Sequence, residues 1–193
     1  YSPIEKGIYE SNDAKILVSF GVDLTPENLN EFKDLEWVHI FSAGIDTLPV
    51  NYLKTKNLIL TNSRGIHAIP MAEYTMTAIL DICRNTHKLY NNQQEKIWDR
   101  RLRMGEAYGK TIGIIGVGAI GEVIAHRAKA FGMKTLGINT SGKPVDNIDK
   151  MFTIEKLHDL LSESDFVVML LPLTDKTRTS FGSAEFNAMK ETA

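Results

Sequence analysis

Short apolar runs alternate with longer stretches of helical periodicity along most of this chain. Runs of strand length occur at residues 15–20, 37–42, 58–61, 112–115 and 135–138, and a sixth lies within 165–172, where it ends in Pro172. Strands that alternate with helices indicate parallel βα units. Thr25 followed by Pro26 marks a helix start, with Thr25 as N-cap and Pro26 at the first helical position. A long helix is expected over 70–90, its face drawn from Met71, Tyr74, Ala78, Ile82, Cys83 and Leu89. Residues 91–99 are polar except for Ile97 and Trp98 and read as a more exposed helix that joins two domains or meets another subunit. Further on, 140–144 is a turn-rich loop, 151–154 a short strand and 154–161 a helix, while Ser183 caps a last helix over 184–189. No internal repeat or low-complexity tract interrupts the pattern.

One strand-to-helix transition carries chemistry. After Ile112 to Ile115 come Gly116, Gly118 and Gly121, a G-x-G-x-x-G spacing, and from Ile120 the apolar positions Val123, Ile124, Ala128 and Phe131 recur at helical intervals. Gly116 permits the tight turn, Gly118 lets backbone approach a pyrophosphate, and Gly121 lets helix and strand pack closely. The helix start adds unpaired N–H groups and a positive dipole end, both favourable to an anion. Such a spacing also serves plain packing or S-adenosylmethionine. The strand before it, the helix after it and the next strand at 135–138 favour a dinucleotide of the Rossmann kind.

Composition narrows the class. The chain has 193 residues, 43% of them hydrophobic, enough for one large core or two modest ones. A formal charge of −2 with mixed signs leaves no footprint for nucleic acid. The basic knot of Arg100, Arg101 and Arg103 reads as a solvated helix end or a partner contact. Cys83 falls in an apolar helix face and reads as a small buried hydrophobe, and a single cysteine allows no intrachain disulfide. With no run of 18 apolar residues in the sequence, a soluble cytoplasmic protein without membrane partners is expected. None of His39, His67, His87, His126 and His158 stands in metal-ligand spacing, so no metal site is expected.

The motifs taken together resemble the D-isomer-specific 2-hydroxyacid dehydrogenases, the family of hydroxypyruvate and glyoxylate reductases and phosphoglycerate dehydrogenase. The resemblance is carried by Phe41-Ser-Ala-Gly-Ile-Asp46, Thr61-Asn-Ser-Arg-Gly-Ile-His67, Met71-Ala-Glu-Tyr74, the stretch from Tyr108 to Gly121, Ser164-Asp-Phe-Val-Val168 and Leu171-Pro-Leu-Thr174. It implies an α/β chain with a flavodoxin-like substrate domain over 1–100 and a Rossmann-type NAD(P)-binding domain over 105–193, with a cleft between them for nicotinamide and substrate. It implies hydride transfer between NAD(P)H and the C2 carbon of a small 2-oxo or 2-hydroxy acid, hydroxypyruvate or glyoxylate by resemblance. Ala43 and Gly44 would offer backbone N–H groups to the substrate carboxylate. Met71 would line the nicotinamide pocket, Leu171, Pro172 and Thr174 would border the adenosine or ribose, and Ala119 and Ile120 would join the glycines around the cofactor. A homodimer is also implied, with Trp98 as a candidate contact.

Two departures from the family pattern shape the expectation. The family's catalytic Arg, Glu and His belong to segments later than Ala193, so no catalytic residue is expected within this chain, and both domains are expected to be incomplete. A NAD-selective site carries a carboxylate at the end of its second strand. Here that place holds Asn139, followed by Thr140, Ser141, Gly142 and Lys143. Losing the carboxylate removes repulsion against a 2′-phosphate, which the hydroxyls and Lys143 could bind, so NADP(H) is favoured slightly over NAD(H). The alternative for Asn139 is a hydrogen bond to the ribose diol. The alternative function is a non-enzymatic NAD(P)-binding regulatory or corepressor-like protein; a methyltransferase fits neither 41–46 nor 171–174.

Overall fold

The computed structural model describes residues 13–193, so the first twelve positions of the expected substrate domain lie outside the described residues. The chain folds as two compact units, one holding residues up to 66 together with Pro172–Thr174, the other holding the remainder from His67. In the first unit β1 (Ile16–Ser19), α1 (Pro26–Asn30), β2 (Trp37–Ile40), α2 (Val50–Thr55) and β3 (Ile59–Asn62) build a parallel sheet in the order β1-β2-β3. The Thr25 side chain accepts from the Asn28 N–H and so caps α1. Because side chains alternate across a strand, Leu17, Val38 and Ile40 point into a core with Leu24, Leu29, Phe32, Leu48 and Leu53. Ile16, Val18, Trp37 and Ile59 stand on the opposite face and are exposed.

The second unit begins with α3 (Ala68–Arg84) and α4 (Thr86–Gln94). It continues through β4 (Thr111–Ile115), α5 (Ala119–Ala130), β5 (Lys134–Ile138), β6 (Lys150–Phe152), α6 (Leu157–Glu163), β7 (Phe166–Met169) and α7 (Ser183–Ala188). Its four strands are parallel in the order β6-β5-β4-β7. The compact unit thus starts at His67, before the 100–105 boundary that the family resemblance implies. The physical cause is α3, which buries Ala72, Met76, Ile79 and Cys83 against Ile124, Ala125 and Ala128 of α5. The small residues let the two helices approach closely, and Arg127 adds a long ion pair to Glu73, 3.9 Å.

Three local expectations are corrected. The helix expected over 70–90 is two helices, because Asn85 takes a left-handed conformation (φ 51°) between α3 and α4, where its amide donates to the Arg103 carbonyl at 2.7 Å. Asparagine tolerates that conformation through local hydrogen bonding. The buried face of α3 is also not the one expected: of the six residues nominated, only Cys83 is buried, while Tyr74 is 77% exposed and Ile82 64%. Large apolar residues attracted the reading, whereas the packing selects the alanine-rich stripe. Finally, α7 is capped by Gly182 rather than Ser183, because the Glu185 carboxylate reaches back to accept from the Gly182 N–H at 2.8 Å.

Two carboxylates tie the second sheet at the N-terminal ends of its strands. Asp149 accepts from Thr135 N–H (2.9 Å) and from Lys129 (2.7 Å). Its pKa is lowered by the Lys129 hydrogen bond first and then by Thr135. Asp165 accepts from Thr111 N–H (2.8 Å) and Lys190 (2.9 Å). Burial pulls the Asp165 pKa upward, but the Thr111 N–H and the Lys190 ammonium outweigh it and leave the pKa below the ordinary aspartate value. A carboxyl depressed in the folded state contributes stability that is complete above the ordinary aspartate range and is lost as pH falls through the folded value. Asp165→Asn is expected to cost about 1–3 kcal/mol at neutral pH and to make the acid side of the stability curve shallower. Urea unfolding at neutral and acid pH checks this; an equal loss at both would remove Asp165 from the acid response.

Candidate nucleotide-binding site

The site is built where β4 runs out. Ile115 lies opposite Ile138 in the sheet, and the N–H groups of Gly116 (2.9 Å) and Val117 (2.8 Å) both donate to the Ile138 carbonyl. The glycine turn and the 139–143 loop therefore sit side by side at the carboxyl ends of two parallel strands. In open parallel sheets ligands bind beyond those ends.

Each glycine meets a different environment. Gly116 has φ 97°, and a Cβ there would lie 3.1 Å from the Leu170 carbonyl group and 3.3 Å from Leu171 Cδ2. A Cβ on Gly121 would come to 3.2 Å of Ile114 Cγ2, so this residue sets how closely α5 packs on β4. Gly118 differs: a Cβ would meet nothing within 4 Å. No packing demand explains a glycine there, and the empty space is what a phosphate approaching backbone requires. Gly118 is the N-cap of α5 without a side-chain cap, so the first N–H groups of the helix, at Ala119, Ile120 and Gly121, stay available to an anion. The residues present fit a dinucleotide pyrophosphate.

The neighbouring loop is closed on itself. Asn139 Oδ1 accepts from Ser141 N–H (3.1 Å) and Ser141 Oγ (3.2 Å), its Nδ2 donates to the Lys143 carbonyl (3.2 Å), and Lys143 N–H donates to Ser141 Oγ (3.3 Å). The Thr140 hydroxyl and the Lys143 ammonium, both exposed, have no hydrogen-bond or ion-pair partner among the described residues. Gly116, Gly118, Ala119, Ile120, Gly121, the 139–143 loop and Leu171 thus gather around one end of the second sheet. Met71 is exposed in the first turns of α3, in the same unit. Pro172 and Thr174 are exposed and group with the first unit.

Ala43 and Gly44 lie in the loop after β2 of the first unit. The Ala43 carbonyl is held by Asn62 Nδ2 (2.7 Å) and the Gly44 carbonyl by Ser42 Oγ (3.0 Å). No described residue accepts from their own N–H groups. A Cβ on Gly44 would fall 2.8 Å from Asp46 Oδ1. One polar network escaped the sequence reading: Thr61 Oγ1 receives Trp37 Nε1 (2.8 Å) and pairs with His39 Nδ1 (2.9 Å), while His39 Nε2 lies 3.3 Å from Ser63 Oγ. His39 and Thr61 are register partners, and register between distant strands leaves no local signal. Among the described residues no group of three His, Cys, Asp or Glu side chains is placed to hold a metal.

Comparison with known proteins decides the family. Residues 76–193 match the model of the D-isomer specific 2-hydroxyacid dehydrogenase NAD binding domain. The chain belongs to that family. It is 31% identical over 192 residues to D-3-phosphoglycerate dehydrogenase of Methanocaldococcus jannaschii, covering 98% of this chain and 37% of that protein. It is 33% identical over 161 residues to glyoxylate reductase of Thermococcus gammatolerans, covering 79% of this chain and 48% of the relative. A crystal structure of a family protein from Aeromonas salmonicida superposes with a TM-score of 0.84 at 30% identity, over 94% of this chain and 58% of that one. The chain therefore spans about half the length of these relatives. The family's NAD-binding fold accounts for the parallel sheet and for a nicotinamide cofactor.

Gly118 separates binding from folding. Because Gly118→Ala adds a methyl group into open space at an ordinary φ of −128°, its Tm is expected to stay within about 2 °C of the parent. Dinucleotide affinity, read by cofactor fluorescence titration, is expected to fall at least about tenfold, the loss of about 1.4 kcal/mol. Unchanged affinity would move the pyrophosphate away from this turn.

Proposed function

We propose that this chain belongs to an oxidoreductase that transfers a hydride between NAD(P)H and a small 2-oxo or 2-hydroxy acid of the hydroxypyruvate or glyoxylate type. The observation that carries the reading is the open space at Gly118 above the uncapped start of α5. When bound, the nicotinamide supplies or accepts the hydride at the substrate's C2 carbon. The protein's task is to hold the two reacting carbons in register. Gly116, Gly118, Ala119, Ile120 and Gly121 hold the pyrophosphate, Leu171, Pro172 and Thr174 border the adenosine or ribose, and Met71 lines the nicotinamide side. The available N–H groups of Ala43 and Gly44 receive the substrate carboxylate. In this reading residues 1–100 serve the substrate and 105–193 the cofactor, and the proton donor is not among the residues of this chain. Glyoxylate reductase among the relatives supports the substrate class.

The cofactor reading favours NADP(H). A carboxylate at the end of β5 would accept both ribose hydroxyls and repel a 2′-phosphate. Asn139 carries no charge, and Lys143 stands four residues on with an unpaired ammonium. Titration of the protein with NADPH and NADH is expected to give several-fold tighter NADPH binding. Tighter NADH binding would sink this preference, and no turnover of glyoxylate or hydroxypyruvate by the full-length protein with either cofactor would sink the enzymatic reading.

We also infer a cytoplasmic homodimer. The segment after α3 is an exposed apolar ridge: Tyr90, Ile97 and Trp98 are exposed, Trp98 to 88%. Trp98 lines a groove of about 640 Å³ together with Leu89, Ile97, Leu102, Met104 and four polar residues. An exposed indole in such a groove is the kind of feature that anchors interfaces. Trp98→Ala is expected to weaken self-association at least about tenfold in sedimentation velocity, an interface anchor being worth about 2 kcal/mol or more. An unchanged profile would take Trp98 out of the contact.

A further inference from the structure

The first unit has a cavity at the end of its sheet opposite the 41–46 loop. Helix α1 stops at Asn30 and α2 at Thr55, each after less than two turns, while β2 and β3 begin only at Trp37 and Ile59. Between the helix ends and the strand starts lies a space of about 360 Å³, a size that holds a small molecule. Its floor is apolar. Leu29 and Phe32 are buried, Leu35 and Leu58 are half-buried, and all four pack in the core of this unit.

The end of α2 builds much of the rim. Asn57 takes a left-handed conformation (φ 53°), its N–H donates to the Lys54 carbonyl (3.1 Å), and Leu58 N–H reaches back to the Leu53 carbonyl (3.1 Å). This double closure of a helix end sets Leu58 beside Leu53 in the core and leaves Lys56 outside. With Lys56 N–H on the Tyr52 carbonyl, it also engages the helix-end oxygens that would otherwise favour a cation. The Lys56 ammonium stands over the Tyr52 ring, 5.6 Å from its centroid. The Tyr52 hydroxyl donates to Asn30 Oδ1 and so ties α2 to α1 beside the cavity. Lys33 completes the rim. Among the described residues neither lysine has an ion-pair partner, and the Asn30 Nδ2 amide has no acceptor. No carboxylate lines the cavity; Glu31 and Asp34, on the same loop, lie outside the lining. The side-chain groups left unengaged are therefore donors, two of them charged, around an apolar floor.

We propose that this cavity binds a small carboxylate with an apolar body, an aryl or branched aliphatic acid, whose carboxylate meets Lys33, Lys56 and the Asn30 amide while its body rests on the leucine and phenylalanine floor. The cavity stands at the N-terminal ends of the strands, whereas Ala43 and Gly44 follow the carboxyl end of β2, and the proposal does not depend on their role.

The probes are phenylacetate and its neutral counterpart phenylacetamide. Both are titrated by calorimetry into the full-length protein and its Lys33→Gln, Lys56→Gln and doubly substituted variants, and amide chemical shifts are followed with phenylacetate. Both lysines are exposed, so the variants are expected to keep the parent's Tm. The parent is expected to bind phenylacetate with a Kd on the order of 1 mM or tighter, as about ten non-hydrogen atoms allow, and phenylacetamide about three- to tenfold more weakly. Each single variant is expected to weaken phenylacetate about two- to fivefold. The double variant is expected to bring it to the level of the amide, with phenylacetamide itself unchanged. Shifts are expected at Asn30, Lys33 and Leu58. Absence of saturable phenylacetate binding overturns the site. Equal binding of the two probes, or an affinity indifferent to both lysines, overturns the anionic ligand class. Binding without shifts at Asn30, Lys33 and Leu58 puts the carboxylate elsewhere on the protein and overturns the assignment to this cavity.

Discussion

The second unit depends on how closely α5 can lie on β4. Strand β4 runs between β5 and β7, and the chain must reverse within a few residues at its end to return as a helix over the sheet. A side chain at Gly116 would press on the Leu170 backbone and one at Gly121 on Ile114. With both absent, the helix start comes down onto the strand ends, and its free N–H groups are presented beside the carboxyl edge of the sheet. The fold and the exposed helix start are consequences of the same close approach. Gly113 within β4 extends the constraint, since a Cβ there would fall 2.6 Å from Leu160 Cδ2 of α6.

The opposite side of α5 explains why α3 joins this unit although the chain enters it from the first sheet. Ala125 and Ala128 are fully buried, as is Ala72 of α3. Alanines at a helix contact bring backbones together and gain dispersion over a long seam. Met76 and Ile79 join this seam, while other large apolar residues of α3 and α4 are turned away. Tyr74, Ile82 and Tyr90, and Trp98 beyond α4, are exposed.

Electrostatics sort the two ends of the second sheet. Asp149 and Asp165 are tied to strand N–H groups and to lysines at the end where strands begin. The other end, where the glycine turn and the 139–143 loop lie, has a helix start and an unpaired lysine. Carboxylates are thus committed to structure far from where an anionic ligand would be received. Asn139 is a neutral amide hydrogen-bonded within its own loop, so that end has no negative charge at the position where NAD-selective sites place one.

The sequence by itself determined the alternation of strands and helices, the glycine turn at the end of β4, the Thr25 cap and the absent carboxylate at 139. These are local: each depends on residues within a few positions of one another, where backbone sterics, capping and side-chain alternation act directly. It also carried enough ordered motifs to indicate the family. It misjudged the face of α3, because helical periodicity locates an apolar stripe and cannot say that Ala72 will be buried while Tyr74 is exposed. The break at Asn85 was equally hidden, since its amide is satisfied by the Arg103 carbonyl, far along the chain. Only tertiary structure placed α3 with the cofactor unit, paired His39 with Thr61 and showed that Gly118 faces open space while Gly121 meets Ile114. Those outcomes are decided by which surfaces meet across long sequence separations, and local propensity holds no information about the partner.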